Sequence, residues 1–149
     1  MTPPDIREIV PHSGRMLLLD RLVSCDADTL TAEVTIRPDS MFVQDGAVGA
    51  WVGLEYMAQA IAAFAGHQAR EEGEKPKIGF LLGSRQYACS TPCFRIGTTL
   101  RVAVTRELQG DSGLGSFTCQ IRAEGIVADA TLTVFQPNDA EQFMRESPE

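Results

Sequence analysis

The chain has 149 residues, of which 44% are apolar and 22% charged, as in an ordinary globular protein. We expect one domain over residues 1–149, with an extended lead-in at 1–10 and a C-terminal tail at 138–149. The net charge of −7 and the scattered Lys and Arg argue against nucleic-acid binding, because that function needs clustered basic residues.

The N-terminus and the cysteines bear on the cellular compartment. No positively charged start is followed by an apolar run, so the pattern of a secretory signal peptide is missing. Four cysteines in a chain of this length do not make a disulfide scaffold. Cys89 and Cys93 lack the further paired ligands of a zinc site, so we expect no metal. The sequence therefore predicts a cytoplasmic protein with free thiols.

Two strands are predicted in the first part of the chain. Residues 15–25 form an apolar run with charged edges, which favours a strand or a short buried helix. Apolar and polar residues then alternate from Leu30 until Pro38, which predicts a strand with one buried face. The Asp45–Gly46 dipeptide indicates a turn in the loop that follows.

The Ala-rich segment from Gly49 to Arg70 has no β-branched run and predicts one long helix. At ~1.5 Å per residue the helix would be about 30 Å long, just enough to cross a bilayer. Glu55 and Gln59 lie within it, however, and polar groups are costly in lipid. We therefore expect a helix buried in the protein core and no membrane association.

Strands account for the remainder of the sequence. Turn signals separate four candidates, at 77–90, 98–108, 115–125 and 126–137. These strands can pair as an antiparallel meander, so we expect an α+β protein. An antiparallel sheet of about five to six strands would wrap around one central helix, which is the hot-dog fold. Because one helix cannot cover such a sheet, we also expect side-by-side dimerisation through the edge strands.

The sequence also resembles a known family, the hot-dog 3-hydroxyacyl-[acyl-carrier-protein] dehydratases. Three segments carry the resemblance: "PHSGRMLLLDRL" (11–22), "GLEYMAQA" (53–60) and "CFRIGTTLRV" (93–102). The ApeP-like branch of aryl polyene pathways is closer still, with counterparts of "AWVGLEYMAQ", "GFLLGSRQY", "GSFTCQI" and "VFQP". The resemblance runs from Pro11 to Pro137. It implies a hydro-lyase that converts a 3-hydroxyacyl thioester on acyl carrier protein into a trans-2-enoyl product, in fatty-acid-like or aryl polyene biosynthesis.

The resemblance assigns the catalytic acid to Glu55. Dehydration needs a base for the α-proton, an acid for the leaving hydroxyl, and stabilisation of charge on the thioester oxygen. Burial among Trp51 and Leu54 should raise the pKa of Glu55, so that it holds a proton near neutrality. Gln59, one turn later on the same helix face, can orient the carboxyl group.

Substrate-binding groups are expected on both sides of this acid. Free backbone N–H groups at the helix start, around Gly49, Ala50 and Trp51, are candidates for stabilising the oxyanion. An acyl chain would thread between the helix and the sheet, past Gly79 and Gly83. No cofactor is implied, because the phosphopantetheine arm that tethers the substrate belongs to the carrier protein.

The sequence departs from the family at the base. The usual dehydratases carry a histidine in a Gly-His-Phe-Pro-Gly loop before the helix, and "MFVQDGAVG" (41–49) has none. Of the two histidines in the chain, His67 lies about 18 Å beyond Glu55 along the helix and should be structural. His12, in a loop before the first strand, is the expected base. If His12 is not the base, Glu55 alone or a water held by Glu55 must take over part of that function.

Two other functions remain open. A helix carboxylate of a hot-dog thioesterase activates water on an acyl thioester. Alternatively, the chain is a non-catalytic subunit that pairs with an active dehydratase. The expected partners are acyl carrier protein and a second hot-dog subunit, in a homodimer or a heterodimer.

Overall fold

The computed structural model describes residues 5–10, 17–73, 80–109 and 113–135. Its single α-helix is α1 (Gly53–Glu71), and short 3-10 turns lie at Ile6–Glu8 and Ala50–Val52 among these residues. The strands are β1 (Arg21–Cys25), β2 (Thr29–Thr35), β3 (Val43–Gln44), β4 (Ala47–Gly49), β5 (Phe80–Cys89), β6 (Cys93–Arg95), β7 (Thr99–Gln109), β8 (Leu114–Ala123) and β9 (Ile126–Phe135).

Six strands form one antiparallel sheet in the order β1-β2-β7-β8-β9-β5, and α1 packs on one face of it. This arrangement confirms the expected hot-dog fold. The last three strands form the predicted meander, but β5 does not begin it. β7 already has β2 on one side and β8 on the other, so β5 pairs with the free side of β9 and becomes an edge strand.

The predicted strand after Leu30 is confirmed, and its alternation sets the core face of β2. Leu30, Ala32 and Val34 are buried, while the threonines between and beyond them are half-buried. Of the apolar run at 15–25 the structure describes residues 17–25, and within them Arg21–Cys25 forms a strand. Before that strand, the N–H of Leu18 is bonded to a helix side chain instead of to a neighbouring strand.

A second, three-stranded sheet (β3-β4-β6) lies beside the start of the helix. Its hairpin turns at Asp45 and Gly46, which have φ of +54° and +81° as the predicted turn requires. The sequence did not predict this sheet, because strands of two or three residues are too short to show an alternating pattern.

Helix α1 buries one side against the large sheet, through Met57, Ala60, Ala63 and Phe64 among others. Where α1 passes the N-terminal 3-10 turn, Gly66 lies against the backbone of Ile9 so closely that a Cβ there would be 1.7 Å from the Ile9 carbonyl oxygen. Within the described residues, no helix is both long and apolar enough to cross a bilayer.

The other side of α1 is only partly covered in the single chain. Its small residues are half-buried, at Ala58, Ala62 and Ala65. These positions continue the helical stripe that begins at Glu55, since they follow it at spacings of three or four residues. The helix is therefore not surrounded by its own sheet, and one long stripe of it faces outward.

Candidate active site

The start of α1 is held by hydrogen bonds between Ala50 and residues of β5 and of the loop between β5 and β6. Ala50, in the 3-10 turn, donates its N–H to the carbonyl of Pro92 at 2.9 Å. Its own carbonyl accepts the N–H of Gly53 and the hydroxyl of Tyr87, which lies at 2.5 Å. The turn is thus fixed from the β5–β6 side, and Glu55 follows in the first turn of the helix.

Tyr87 reaches the helix because β5 is irregular at this point. The pairing register with β9 shifts between Arg85 and Ala88, and Gln86 has a φ of +54°. The hydroxyl of Tyr87 then occupies the space beside Gly53, where a Cβ would lie only 2.3 Å from it. Burial is the main cause that raises the pKa of Tyr87, so this hydroxyl remains a hydrogen-bond donor at neutral pH.

Sequence reasoning missed Tyr87 as a residue that positions the site. A single tyrosine in a strand carries no pattern of its own. The bulge and the left-handed residue before it, which turn the side chain inward, become visible only once β5 is paired with β9.

The predicted pair of Glu55 and Gln59 is brought together, since Nε2 of Gln59 donates to Oε1 of Glu55 at 3.2 Å. Gln59 is buried, and its Oε1 accepts the backbone N–H of Leu18 at 2.8 Å. Because the amide is held from both ends, its NH₂ group points at Glu55 in a fixed direction. The amide therefore connects the carboxylate to the segment that precedes β1, across 41 residues of sequence.

The expected burial of Glu55 is wrong for the single chain. Glu55 is exposed, and Trp51, which was to cover it, is itself 65% exposed. The indole ring packs edge-to-face on Phe42, with ring centroids 5.5 Å apart, and lies over Gly49. The physical reason is that α1 turns its Glu55 stripe away from the six-stranded sheet.

The expected oxyanion donors also need a correction at one position. The N–H of Ala50 is not free, because it is bonded to Pro92. Gly49 closely contacts the Trp51 ring, where a Cβ would lie 2.5 Å from Nε1. A substrate-binding role of Gly49 and Trp51 stays a prediction.

The remaining predicted residues are His12, Gly79, Gly83 and His67. His12 and Gly79 lie outside the described residues. Gly83 is exposed on the edge strand β5, with open space where a side chain would be. His67 lies near the end of α1, with Nε2 at 3.8 Å from Oε1 of Glu71, in agreement with a structural role.

The described ranges contain no candidate metal centre. There, no group of three or more His, Cys, Asp or Glu side chains lies close enough together to hold a metal ion. Cys89 and Cys93 are half-buried free thiols, and Cys119 is fully buried in the core.

Comparisons with known proteins agree with this architecture. Residues 4–145 match the sequence model of the ApeP-like family, described as ApeP dehydratase. A chain of the dehydratase heterocomplex ApeI:P from Xenorhabdus doucetiae is 28% identical, with a TM-score of 0.88 over 99% of this chain and 100% of that one. A comparison with curated protein sequences finds no significant match.

More distant structures share the fold alone. Cj0977, a sigma28-regulated virulence protein from Campylobacter jejuni, has a TM-score of 0.61 at 12% identity, over 90% of this chain and 89% of its own. The E. coli PaaI protein from the phenylacetic acid degradation operon has a TM-score of 0.58 at 14% identity, over 77% of both chains.

Proposed function

The chain belongs to the ApeP-like dehydratase family, and we propose that it takes part in removing water from a 3-hydroxyacyl thioester on acyl carrier protein. The product would be the trans-2-enoyl thioester, in aryl polyene or fatty-acid-like biosynthesis. The observation that carries this proposal is the Glu55 carboxyl group at the start of the central helix, oriented by the buried amide of Gln59.

In this reaction the protonated carboxyl group of Glu55 gives its proton to the 3-hydroxyl, which leaves as water. A base takes the proton from C2, and the electron pair of that C–H bond forms the C2–C3 double bond. His12 is our proposal for the base. The amide of Gln59 keeps the carboxyl group in one orientation, which lowers the entropic cost of reaching the reactive geometry.

We propose that a second hot-dog subunit covers the site. We expect Glu55 to need a cover that excludes water, because an apolar surrounding favours the protonated form of a carboxyl group. The exposed Trp51 and Phe42 and the stripe through Ala58 supply an apolar face beside it. Strand β5, at the edge of the sheet, provides backbone groups for pairing with that subunit. The structural relative is itself a heterocomplex, which favours a different subunit as the partner.

The carrier protein would deliver the substrate on its phosphopantetheine arm. No cofactor is needed for the elimination, since the proton acceptor and donor are side chains. Among the exposed cations near the helix start, Arg95 on β6 is suited to contact an acidic carrier protein.

The test is turnover of 3-hydroxyacyl carrier protein by the chain alone and by the chain co-purified with a hot-dog dehydratase subunit from the same cell. Enoyl product is measured by mass, as the loss of one water. We expect Glu55→Gln to lower the rate by about 10²–10⁴-fold, the usual contribution of one acid–base group. The matched control is Glu124→Gln, an exposed carboxylate on the β8–β9 turn, which should leave the rate unchanged.

The two rival functions give different results in the same assay. Release of free carrier-protein thiol without enoyl product would assign a thioesterase. Enoyl product formed by the complex at the same rate with and without Glu55→Gln would make this chain the non-catalytic subunit, and would refute the role of Glu55.

A further inference from the structure

The hydroxyl of Tyr56 is buried in the fold and has no hydrogen-bond partner among the described residues. Tyr56 is only 2% exposed, and its ring packs near Phe94. A buried polar group without a partner costs about 1–3 kcal/mol, so native proteins almost always supply one, from the chain, from ordered water or from a ligand. Here the residues that the structure describes do not supply it.

Tyr56 lines a pocket of about 170 Å³ beside the helix start. The other lining residues come from the segment before β1 and from the end of β2 with the loop after it: Leu17, Leu18, Asp20, Val34, Thr35, Arg37, Asp39, Ser40 and Met41. An engineered cavity of about 150 Å³ is large enough for a benzene ring. The pocket therefore has room for a ring or for a short chain of similar size.

The rim of this pocket is held in place by its own polar contacts. Asp20 accepts from Nη1 of Arg37 at 2.8 Å with one oxygen, and from the N–H of Thr35 at 2.6 Å with the other. Ser40 accepts the N–H of Arg37 at 2.7 Å and so shapes the loop. Both oxygens of Asp20 are engaged, so this carboxylate frames the pocket, whereas the buried hydroxyl of Tyr56 is available to bind an occupant.

We propose that this pocket binds a neutral small molecule that combines a ring-sized or short-chain apolar body with a hydrogen-bond acceptor for the Tyr56 hydroxyl. Leucine, valine and methionine side chains in the lining would contact the apolar body. The lining carries two acidic side chains against one basic side chain, Asp20 and Asp39 against Arg37, which disfavours an anion.

The protonation state of Tyr56 agrees with a donor role. Burial, with a smaller effect of the Asp20 charge, raises the pKa of Tyr56 to about 12. At neutral pH the phenol is thus an O–H donor and not an anion. Leu18 is shared with the candidate active site, because it lines the pocket and its N–H is bonded to Gln59.

The first test uses two matched Tyr→Phe variants and needs no ligand. Tyr87→Phe removes a hydroxyl with a partner and should destabilise the protein, whereas Tyr56→Phe removes a hydroxyl without one. We expect urea unfolding of Tyr56→Phe at the same or a higher midpoint than the parent chain. If Tyr56→Phe lost as much stability as Tyr87→Phe, the Tyr56 hydroxyl would have a hydrogen-bond partner in the fold, and the proposal would be overturned.

The second test is binding of benzamide and benzoate, two probes of nearly the same shape, followed by NMR of the methyl groups. Benzamide should shift the methyl signals of Leu17, Leu18 and Met41 in a saturable way. Tyr56→Phe should weaken its binding two- to tenfold, the value of one hydrogen bond. Benzoate should bind more weakly than benzamide.

Three results would overturn the proposal: no shifts up to about 10 mM benzamide, where even a weak fragment binds; equal binding by Tyr56→Phe; or tighter binding of benzoate. A crystal structure that shows only ordered water on Tyr56 in the presence of benzamide would do the same. None of these measurements involves turnover, so the pocket proposal can fail while the dehydratase function holds, and the reverse.

Discussion

The hydroxyl of Tyr87 fills the space that a side chain at Gly53 would need. A Cβ added to Gly53 would lie 2.3 Å from that oxygen, well inside van der Waals contact. The same oxygen is bonded to the carbonyl of Ala50, so it cannot simply move away. A residue in an edge strand thereby fixes the first residue of the central helix, two positions before Glu55.

We therefore expect Gly53→Ala to destabilise the protein. Overpacking costs about 1–3 kcal/mol, and the better helix propensity of alanine returns at most about 1 kcal/mol of this. In a Tyr87→Phe background the obstacle is gone, and the nearest remaining side chain outside the ring is Ile121, with Cδ1 at 3.1 Å. Gly53→Ala should then cost less.

Urea unfolding of the two single variants and the double variant measures this coupling. Tyr87→Phe alone should cost about 0.5–1.5 kcal/mol, from the lost hydrogen bond. If the two single effects simply add in the double variant, the contact between Gly53 and Tyr87 does not exist.

The amide of Gln59 should be worth a measurable part of the stability. Gln59→Met keeps the volume but leaves the N–H of Leu18 without its acceptor, and we expect a loss of about 1–3 kcal/mol in the free energy of unfolding. Gln44→Met on the exposed β3–β4 hairpin is the control and should stay within about 0.5 kcal/mol of the parent. An unfolding midpoint of Gln59→Met equal to that of the control would contradict the hydrogen bond between Leu18 and Gln59.

The contact between Gly66 and Ile9 predicts a severe effect of one methyl group. In Gly66→Ala the new Cβ would meet the carbonyl oxygen of Ile9 at 1.7 Å, and a backbone atom cannot rotate away. We expect a loss of about 1–3 kcal/mol or more, unless the N-terminal turn detaches. Gly83→Ala, with open space around it, should change stability by no more than about 0.5 kcal/mol.

Detachment of the N-terminal turn in Gly66→Ala can be measured separately from stability. If residues 5–10 leave the helix in Gly66→Ala, limited proteolysis will cleave them faster than in the parent, although the midpoint changes less. A variant that matches the parent in both measurements would show that Gly66 and Ile9 are not in contact.

The thiol of Cys119 should resist modification. It is fully buried, and burial raises its pKa to about 12, so at pH 8 it remains a protonated thiol without solvent access. Iodoacetamide should leave Cys119 unlabelled in the native protein and label it in denaturant, as read by peptide mass spectrometry. The half-buried Cys93 serves as the internal comparison. Labelling of Cys119 at the native Cys93 rate would mean that this part of the core opens readily.

Local pattern was sufficient for much of the architecture. The alternation of β2, the turn at Asp45–Gly46 and the long helix each depend on neighbours in sequence, and the structure confirms them. The hydrogen bond between Gln59 and Glu55 also follows from helical spacing, since residues four apart lie on the same face.

Contacts between residues far apart in the chain could not be predicted from the sequence. Leu18 reaches Gln59 across 41 residues, and Tyr87 reaches Ala50 across 37, and no periodicity encodes either pair. The edge position of β5 was missed for the same reason, because it depends on which strand of the meander still has a free side. The exposure of Glu55 was missed because an apolar helix sequence does not state which part of its surface another subunit must cover.

The sequence by itself thus determined the element types, the hot-dog fold and the place of the carboxylate, because short-range spacing and composition carry those properties. Only the tertiary structure decided that Tyr87 holds the helix start, that Gln59 is fixed from both ends, and that Tyr56 opens onto a pocket. These depend on which distant backbone and side-chain atoms come within hydrogen-bond distance once the sheet closes on the helix.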